Sequence, residues 1–316
     1  MTFQMLRCVL MTLTLGMPAA HAGDLLASSA DGAAWLSGGV GLMNIEAHEY
    51  VYLGSNKASQ LDWDTSGVVV YTASAGVSLE GNWHVQGKLD VGFGGDGHMV
   101  DYDWVPGFAI DQSKDGWSDR SIHPDTRLDY YFSGAIEIGR DIFTDETSSV
   151  SVGGGFKYTE VRWDAFGGSY IYSDDGLRND IGELPTGLKG ISYKQKIPTI
   201  FVGFDGSTSF DRLTLSGGIK GGMTLGIDDQ DDHWLTETRV FGSMKPAPVL
   251  MLNAAVDFQL TDTASLYFSG NLENVFRKRG DMNSIDTTSG NATLYKSAAG
   301  ASIKTISLQM GFRARF

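Results

Sequence analysis

The chain has 316 residues, and 38 Asp and Glu outnumber 24 Lys and Arg, for a formal net charge of −14. This acidic balance argues against nucleic-acid binding, because contacts to phosphate backbones need clusters of basic residues. Glycine is abundant, with 41 residues, and proline is scarce, with 7, a composition that suits long strands with local bends.

Residues 1–22 have the features of a secretory signal sequence. Arg7 supplies the positive start, an apolar stretch follows, and Ala-His-Ala at 20–22 fits a small-x-small cleavage site. We therefore expect a mature chain of residues 23–316 that forms one domain. Cys8 is the only cysteine and would leave with the signal, so the mature protein would have neither a disulfide nor a cysteine nucleophile.

Apolar and polar residues alternate along much of the remaining chain. Segments with apolar side chains on one face and polar or small ones on the other are typical of transmembrane β-barrel strands. No later stretch has about 18 consecutive apolar residues, so no transmembrane helix is predicted. The clearest alternating runs lie within 71–80, 130–138, 213–220, 254–260, 266–273 and 306–316.

Polar connections of two lengths separate these runs. Short turns occur at 144–146 and 262–263. Longer polar stretches lie near 105–125, 173–190 and 278–297. Short turns at one end and long loops at the other are typical of outer-membrane barrels, whose strands must close on themselves in lipid. The sequence predicts an all-β fold, a closed antiparallel transmembrane β-barrel of about ten strands with long extracellular loops. A secreted β-sandwich is the alternative, and the terminal aromatic Phe316 argues against it.

Two short acidic motifs carry the candidate chemistry. Residues two apart in a strand point to the same face, so Asp101 and Asp103 share one face. Asp229, Asp231 and His233 share another face for the same reason. Two carboxylates opposite a carboxylate–histidine pair can hold and activate a water molecule, which indicates hydrolysis.

Other chemistries find less support in the sequence. The acidic run lacks the turn glycine of a calcium-binding EF-hand loop. The chain has neither a His-x-x-x-His pair nor several cysteines for zinc, so no metal is expected. The G-x-S-x-G elbow of serine hydrolases is also missing, which argues against a barrel lipid hydrolase.

Five motifs, taken in chain order, resemble the omptin family of outer-membrane proteases. They are SQLDW at 59–63, MVDYDW at 99–104, HPDT at 123–126, GSYIYS at 168–173 and SYKQ at 192–195. The resemblance extends from about Glu49 to the C-terminus. It implies a protease in the bacterial outer membrane whose active site faces outside the cell.

The resemblance assigns catalytic roles to four of the residues above. His233 would be the general base, with a pKa near neutral, and Asp231 would orient its imidazole. Asp101 and Asp103 would position the attacking water and share a proton, because neighbouring like charges raise one pKa. No covalent acyl-enzyme is implied.

The resemblance also implies a specificity pocket. Glu49 and Asp229 match the two acids that bind the residue before the cut, where carboxylates would select Arg or Lys. Asp119 resembles a loop acid that lines the other side of the cut. Cationic peptides and proteins are therefore the expected substrates.

A third set of residues is expected on the outside of the barrel. Tyr158, Glu160 and Arg162 share a face by their spacing, and Lys196 would lie nearby. Omptins use such residues to grip lipopolysaccharide phosphates, so lipopolysaccharide is expected as a required activator, with no other cofactor. The alternative is that this face points into the lumen. A monomer is expected.

The sequence leaves other functions open. A non-catalytic or dual-role adhesin or invasin on an omptin scaffold is one, although the presence of all four candidate catalytic residues argues against a non-catalytic barrel. A lipid hydrolase would need a serine nucleophile, and none is evident. The stretches 105–118, 234–245 and 278–297 differ from the usual family sequence, so the choice of protein substrate stays open.

Overall fold

The structure is a computed structural model that describes residues 34–316, so the expected signal sequence lies outside the described residues. The strands are β1 (Ala34–Leu53), β2 (Asn56–Leu79), β3 (Trp83–Phe93), β4 (Asp96–Asp103), β5 (Asp119–Thr144), β6 (Ser148–Tyr172), β7 (Asp180–Phe210), β8 (Leu213–Thr224), β9 (Ile227–His233), β10 (Thr238–Met244), β11 (Pro248–Thr261), β12 (Ala264–Asp286) and β13 (Ala292–Arg315). Two single-turn 3-10 helices span Glu80–Asn82 and Lys114–Gly116. No helix in the described range is long or apolar enough to cross a membrane.

The strands form one closed antiparallel barrel. β1 pairs with both β2 and β13, so the first and last strands join and leave no open edge between them. The chain crosses the length of the barrel in passes, and a short break divides three of these passes into two strands each. They are β3–β4, β8–β9 and β10–β11. The thirteen strands therefore make ten passes, which confirms the predicted barrel.

The alternation seen in the sequence separates two environments. On β1, Leu36, Val40 and Leu42 are exposed on the outer surface, whereas Ser37 and Met43 are buried in the lumen. Large exposed apolar side chains continue this outer surface around the barrel and form an apolar band that faces lipid. Examples are Tyr71, Phe132, Ile136, Phe156, Phe204, Ile219, Val256, Phe268 and Leu308.

The two ends of the barrel have different connections. At the turn end the connections are short, including 145–147, 211–212 and 262–263, as expected. The loop end carries connections at 54–55, 104–118, 173–179, 234–237 and 287–291.

The longer polar stretches of the sequence are only partly loops. Residues 119–125, 180–190 and 278–286 belong to strands, so the expectation of loops there was wrong. These segments extend the barrel beyond the apolar band. Both faces of a strand can be polar there, so the alternation that marks a strand is lost.

A layer of aromatic side chains divides the lumen. Trp63, Trp163 and Tyr193 are fully buried and stack with ring centroids 5.4–6.3 Å apart. Towards the turn end the lumen is polar and contains a cavity of about 330 Å³. Buried ion pairs such as Lys157–Glu273 lie in this polar part. The space towards the loop end is therefore a separate chamber.

Candidate active site

One wall of this chamber is formed by β4. Met99 points into the lumen and is fully buried, so Asp101 and Asp103, two and four residues on, point the same way. The Ser59 hydroxyl on β2 donates a hydrogen bond of 3.2 Å to Asp101. The shared face predicted for the two aspartates is confirmed.

The other wall is formed by β9, which lies across the lumen between β7 and β10. Asp229, Asp231 and His233 face the lumen, whereas Asp232 points outward and pairs with Arg239. His233 Nε2 lies 2.5 Å from Asp231 Oδ2. The fold therefore places a carboxylate–histidine pair opposite the two aspartates of β4.

The charge of His233 depends on both walls. Burial lowers its pKa, but the charge and hydrogen bond of Asp231 and the charges of Asp101 and Asp103 outweigh burial and raise the pKa to about 9. This differs from the near-neutral value expected from the residue type, because three carboxylates surround one imidazole. The raised pKa favours the imidazolium form of His233 at neutral pH in the unliganded protein.

The surroundings of the β4 wall favour the protonated forms of its two carboxyl groups. Burial and the charge of Asp103 raise the pKa of Asp101 well above its usual range. Burial also raises the pKa of Asp103 to about 6, against the lowering effect of the hydrogen bond from Ser59. Both shifts favour the protonated forms of these carboxyls, which is the condition that proton sharing between neighbouring carboxyls requires.

The two acids expected in the specificity pocket lie together beside the β4 and β9 walls. Glu49 on β1 and Asp229 on β9 are both buried. Asp229 accepts hydrogen bonds from the Tyr193 hydroxyl at 3.1 Å and the Gly242 backbone N–H at 2.8 Å. Burial is the main cause that raises the pKa of Glu49 well above its usual range and that of Asp229 to about 7.

Two carboxylate oxygens in this chamber have no hydrogen-bond partner within residues 34–316. They are Oε2 of Glu49 and Oδ1 of Asp231, and both are buried. Leaving a buried acceptor unpaired is costly unless a ligand supplies donors. A cationic side chain with several N–H groups has the chemistry that these oxygens need.

Asp119 lies at the first position of β5, in register with Asp103. Its carboxylate accepts hydrogen bonds from the Ser118 hydroxyl at 2.7 Å and the Ser173 backbone N–H at 2.5 Å. In this structure Asp119 therefore joins the 104–118 loop to the 173–179 loop beside the β4 wall.

The expected outer cluster is indeed on the outer surface. Tyr158, Glu160 and Arg162 alternate with buried lumen residues of β6. Lys196 on β7 lies opposite Glu160 in the register of the two strands. Glu160 accepts hydrogen bonds of 2.5 Å from the hydroxyls of Tyr158 and Tyr130. The alternative of a lumen-facing pair is wrong, because the lumen positions belong to Thr159, Val161 and Trp163.

Several contributors to the site were not assigned roles from the sequence. Ser59 and Tyr193 lie inside the motifs that carried the family resemblance, so their positions were marked without a function. Gly242 contributes only its backbone N–H, and Tyr130 reaches Glu160 from a neighbouring strand. Nothing in the local sequence marks either contact. Among residues 34–316, no group of three or more His, Cys, Asp or Glu is arranged to hold a metal ion.

Comparisons with known proteins agree with this architecture. The sequence model of the Omptin family matches residues 33–316. Protease 7 from Escherichia coli strain K12 is 29% identical over 275 residues, which cover 83% of each chain. The plasminogen activator from Yersinia pestis is 23% identical, with 97% of each chain covered.

A solved structure gives the same result at the level of the fold. The crystal structure of the outer membrane protease OmpT from Escherichia coli superposes with a TM-score of 0.83 at 25% identity. The match covers 90% of this chain and 97% of that chain. Since the family model spans nearly the whole described barrel, the chain belongs to the omptin family of outer-membrane proteases.

Proposed function

We propose that the protein is an aspartic-type endopeptidase of the outer membrane that cleaves peptides and proteins at Arg or Lys. The observation that carries this proposal is the opposition of Asp101 and Asp103 to the Asp231–His233 pair across one part of the lumen. The chamber lies at the loop end of the barrel. Short connections at the other end are typical of the periplasmic side, so we infer that the active site faces outside the cell.

Substrate binding begins in the pocket of Glu49 and Asp229. A guanidinium or ammonium group there gains charge-assisted hydrogen bonds and neutralises part of the negative field. The same positive charge, placed beside Asp231, opposes the protonated form of His233. Binding of a basic side chain therefore shifts His233 towards the neutral imidazole that a general base requires.

Water attacks the peptide carbonyl between the walls. Neutral His233 accepts a proton from the water, and Asp231 stabilises the imidazolium that forms. Asp101 and Asp103 hold the water, and the proton that they retain is available to the departing amine. This sequence of steps uses protein side chains alone.

The outer cluster gives this activity a lipid requirement. Arg162 and Lys196 present cations on the outer surface close to the apolar band, and phosphate groups of lipopolysaccharide are suitable anions. Lipid bound there would act by adjusting the walls of the barrel, where a displacement of about 1 Å can cost about 10²-fold in rate. The proposed partners are cationic substrates and lipopolysaccharide, and the proposed unit is a monomer.

Removal of a catalytic group tests the proposal directly. We expect His233→Ala and Asp101→Ala each to lower peptide cleavage by about 10²–10⁴-fold, because the attacking water loses its base or its support. Cleavage should be measured on refolded protein whose barrel is verified by heat-modifiable gel mobility. The control His98→Ala removes an exposed histidine from the β4 strand and should retain activity. Near-normal cleavage by folded His233→Ala would contradict the mechanism.

The pKa values of the walls define a pH dependence. For an Arg substrate, which stays charged, kcat/KM should rise as Asp103 ionises at about pH 6 and rise again as His233 loses its proton at about pH 9. In the pH profile of kcat, the rise caused by deprotonation of His233 should occur at a lower pH than in the profile of kcat/KM, because bound substrate lowers the pKa of His233. The measurement is a pair of pH–rate profiles. A kcat/KM that falls between pH 7 and pH 9 would exclude neutral His233 as the base.

The pocket determines what is cut. We expect the double change Glu49→Gln with Asp229→Asn to abolish the preference for Arg or Lys before the cut, because shape is retained and charge is lost. Mass spectrometry of products from a mixed peptide pool provides the measurement. Glu46→Gln with Asp64→Asn removes two exposed acids from the outer surface of β1 and β2 and is the matched control. Wild-type cuts mainly after apolar residues would refute the pocket.

Lipopolysaccharide should switch the enzyme on. Protein refolded in plain detergent is expected to be nearly inactive, and a lipopolysaccharide titration should restore activity. Arg162→Ala with Lys196→Ala should shift that titration to higher concentration in a folded barrel. The control Arg127→Ala removes an outer-surface cation that already pairs with Asp125. Full activity without lipid would leave the cluster with a structural role only.

A further inference from the structure

A second group of cations lies on the outer surface at the loop end, on β2 and β12. Its members are Lys57, Arg277 and Arg279, which we call the cation patch. β6, which carries the outer cluster described above, is separated from β12 by several strands in either direction around the ring. The patch is therefore spatially distinct from that cluster and from the lumen.

The patch lies above the lipid-facing surface, on the side of the loop end. Phe276 and Arg277 lie at an irregularity of β12 between Val275 and Lys278, and both are exposed. Phe268, lower on the same strand, belongs to the apolar band. An exposed aromatic side chain beside an exposed guanidinium at this level suits the interface between hydrocarbon and headgroups.

Aromatic rings fix the two arginines in place. Tyr50 and Tyr52 are on the outer face of β1, yet each is only 8% exposed. The Arg277 guanidinium lies 5.0 Å from the centre of the Tyr50 ring, and that of Arg279 lies 3.8 Å from the Tyr52 ring. Arg279 also donates to the backbone carbonyl oxygen of Gly54 at 2.7 Å.

The lysine is held in a similar way. Lys57 Nζ lies 3.6 Å from the centre of the Trp104 ring and donates to the Gln60 side-chain oxygen at 2.8 Å. Burial is the largest cause that lowers the pKa of Lys57. The charge of Asp62 raises this pKa, and the charge of Arg277 lowers it. Lys57 and Arg277 therefore lie close enough for their charges to interact.

The nearby acid Asp62 is paired with a cation outside the patch. Asp62 accepts a hydrogen bond from Lys114 at 2.7 Å and lies 2.7 Å from His48, so its charge is already compensated. In the part of the chain that the structure describes, no patch cation forms an ion pair. Rings and neutral oxygens hold all three in a chain whose net charge is −14, so their charges remain available to an external anion.

We propose that the cation patch is a second lipid site, in which Lys57, Arg277 and Arg279 bind phosphate groups of an outer-leaflet phosphoglycolipid. A guanidinium matches two phosphate oxygens, and the ammonium of Lys57 adds a point charge. The position above the apolar band favours a phosphate attached to acyl chains over a soluble anion. This site is independent of catalysis and of the contacts proposed for Arg162 and Lys196.

Native mass spectrometry of the full-length protein in detergent can count bound lipids. The probe is bisphosphorylated lipid A, compared with the same lipid after removal of its phosphates and with inorganic phosphate. The patch variant is Lys57→Gln with Arg277→Gln, and the variant of the other site is Arg162→Ala with Lys196→Ala. Arg279 is left unchanged because it also bonds the 54–55 turn. Lys304→Gln, which removes a cation paired with Glu46, is the control.

We expect two lipid A molecules on the wild-type protein and one on the patch variant. In the patch variant, the dissociation constant for the second lipid molecule should rise by about tenfold or more. Arg277→Lys should retain the second lipid, and Lys304→Gln should bind like wild type. These two variants also separate a loss of charge from a failure to fold.

Some results would overturn the proposal. They are unchanged binding of two lipids by the folded patch variant, equal binding of the lipid without phosphates, and a patch that takes inorganic phosphate or an acidic peptide but not lipid A. Loss of the patch lipid alone, with the other lipid retained, supports the second site. If the variant changed at Arg162 and Lys196 still binds two lipids, that result would contradict only the function proposed for the outer cluster.

Discussion

Closure of the barrel through β1 and β13 is the constraint on which the rest of the structure depends. In hydrocarbon each unpaired backbone group costs several kcal/mol, so the ring must be complete before any strand can stay in the membrane. Completion also fixes the register of every strand. A slip of one residue on β4 would turn Asp101 and Asp103 out of the lumen. The same requirement that allows the chain to span lipid thus holds the two walls of the site face to face.

The site gathers carboxyl groups in a place that disfavours their charge. A carboxyl whose folded pKa is raised binds its proton more tightly in the folded state than in the unfolded one. The contribution of Asp229 to the free energy of unfolding therefore falls as the pH rises from 3.8, the ordinary pKa of an aspartate, to about 7. His233 adds stability below its unfolded pKa of 6.5, and this is lost as pH rises to about 9. Both groups thus lose stabilising influence as they reach the ionisation states that the proposed mechanism requires.

The sequence predicted the parts of this arrangement that are local. Strand alternation marked the apolar band, and the two-residue spacing of Asp101 and Asp103 gave their common face. Alternation failed in 119–125 and 180–190, because strands beyond the lipid no longer have one apolar face. Spacing also could not show how far the pKa of His233 is raised, since burial and the carboxylates of the distant strand β4 add their effects to that of the neighbouring Asp231. The family motifs predicted that the acidic groups of β4 and β9 belong to one site, and closure of the barrel is the physical reason why these two strands face each other.

The layer of Trp63, Trp163 and Tyr193 has a consequence for the membrane itself. A ten-pass ring without this layer would connect the polar cavity at the turn end with the acidic chamber at the loop end. The stacked rings lie across that route, so we expect the barrel to conduct ions poorly although it is built like a channel.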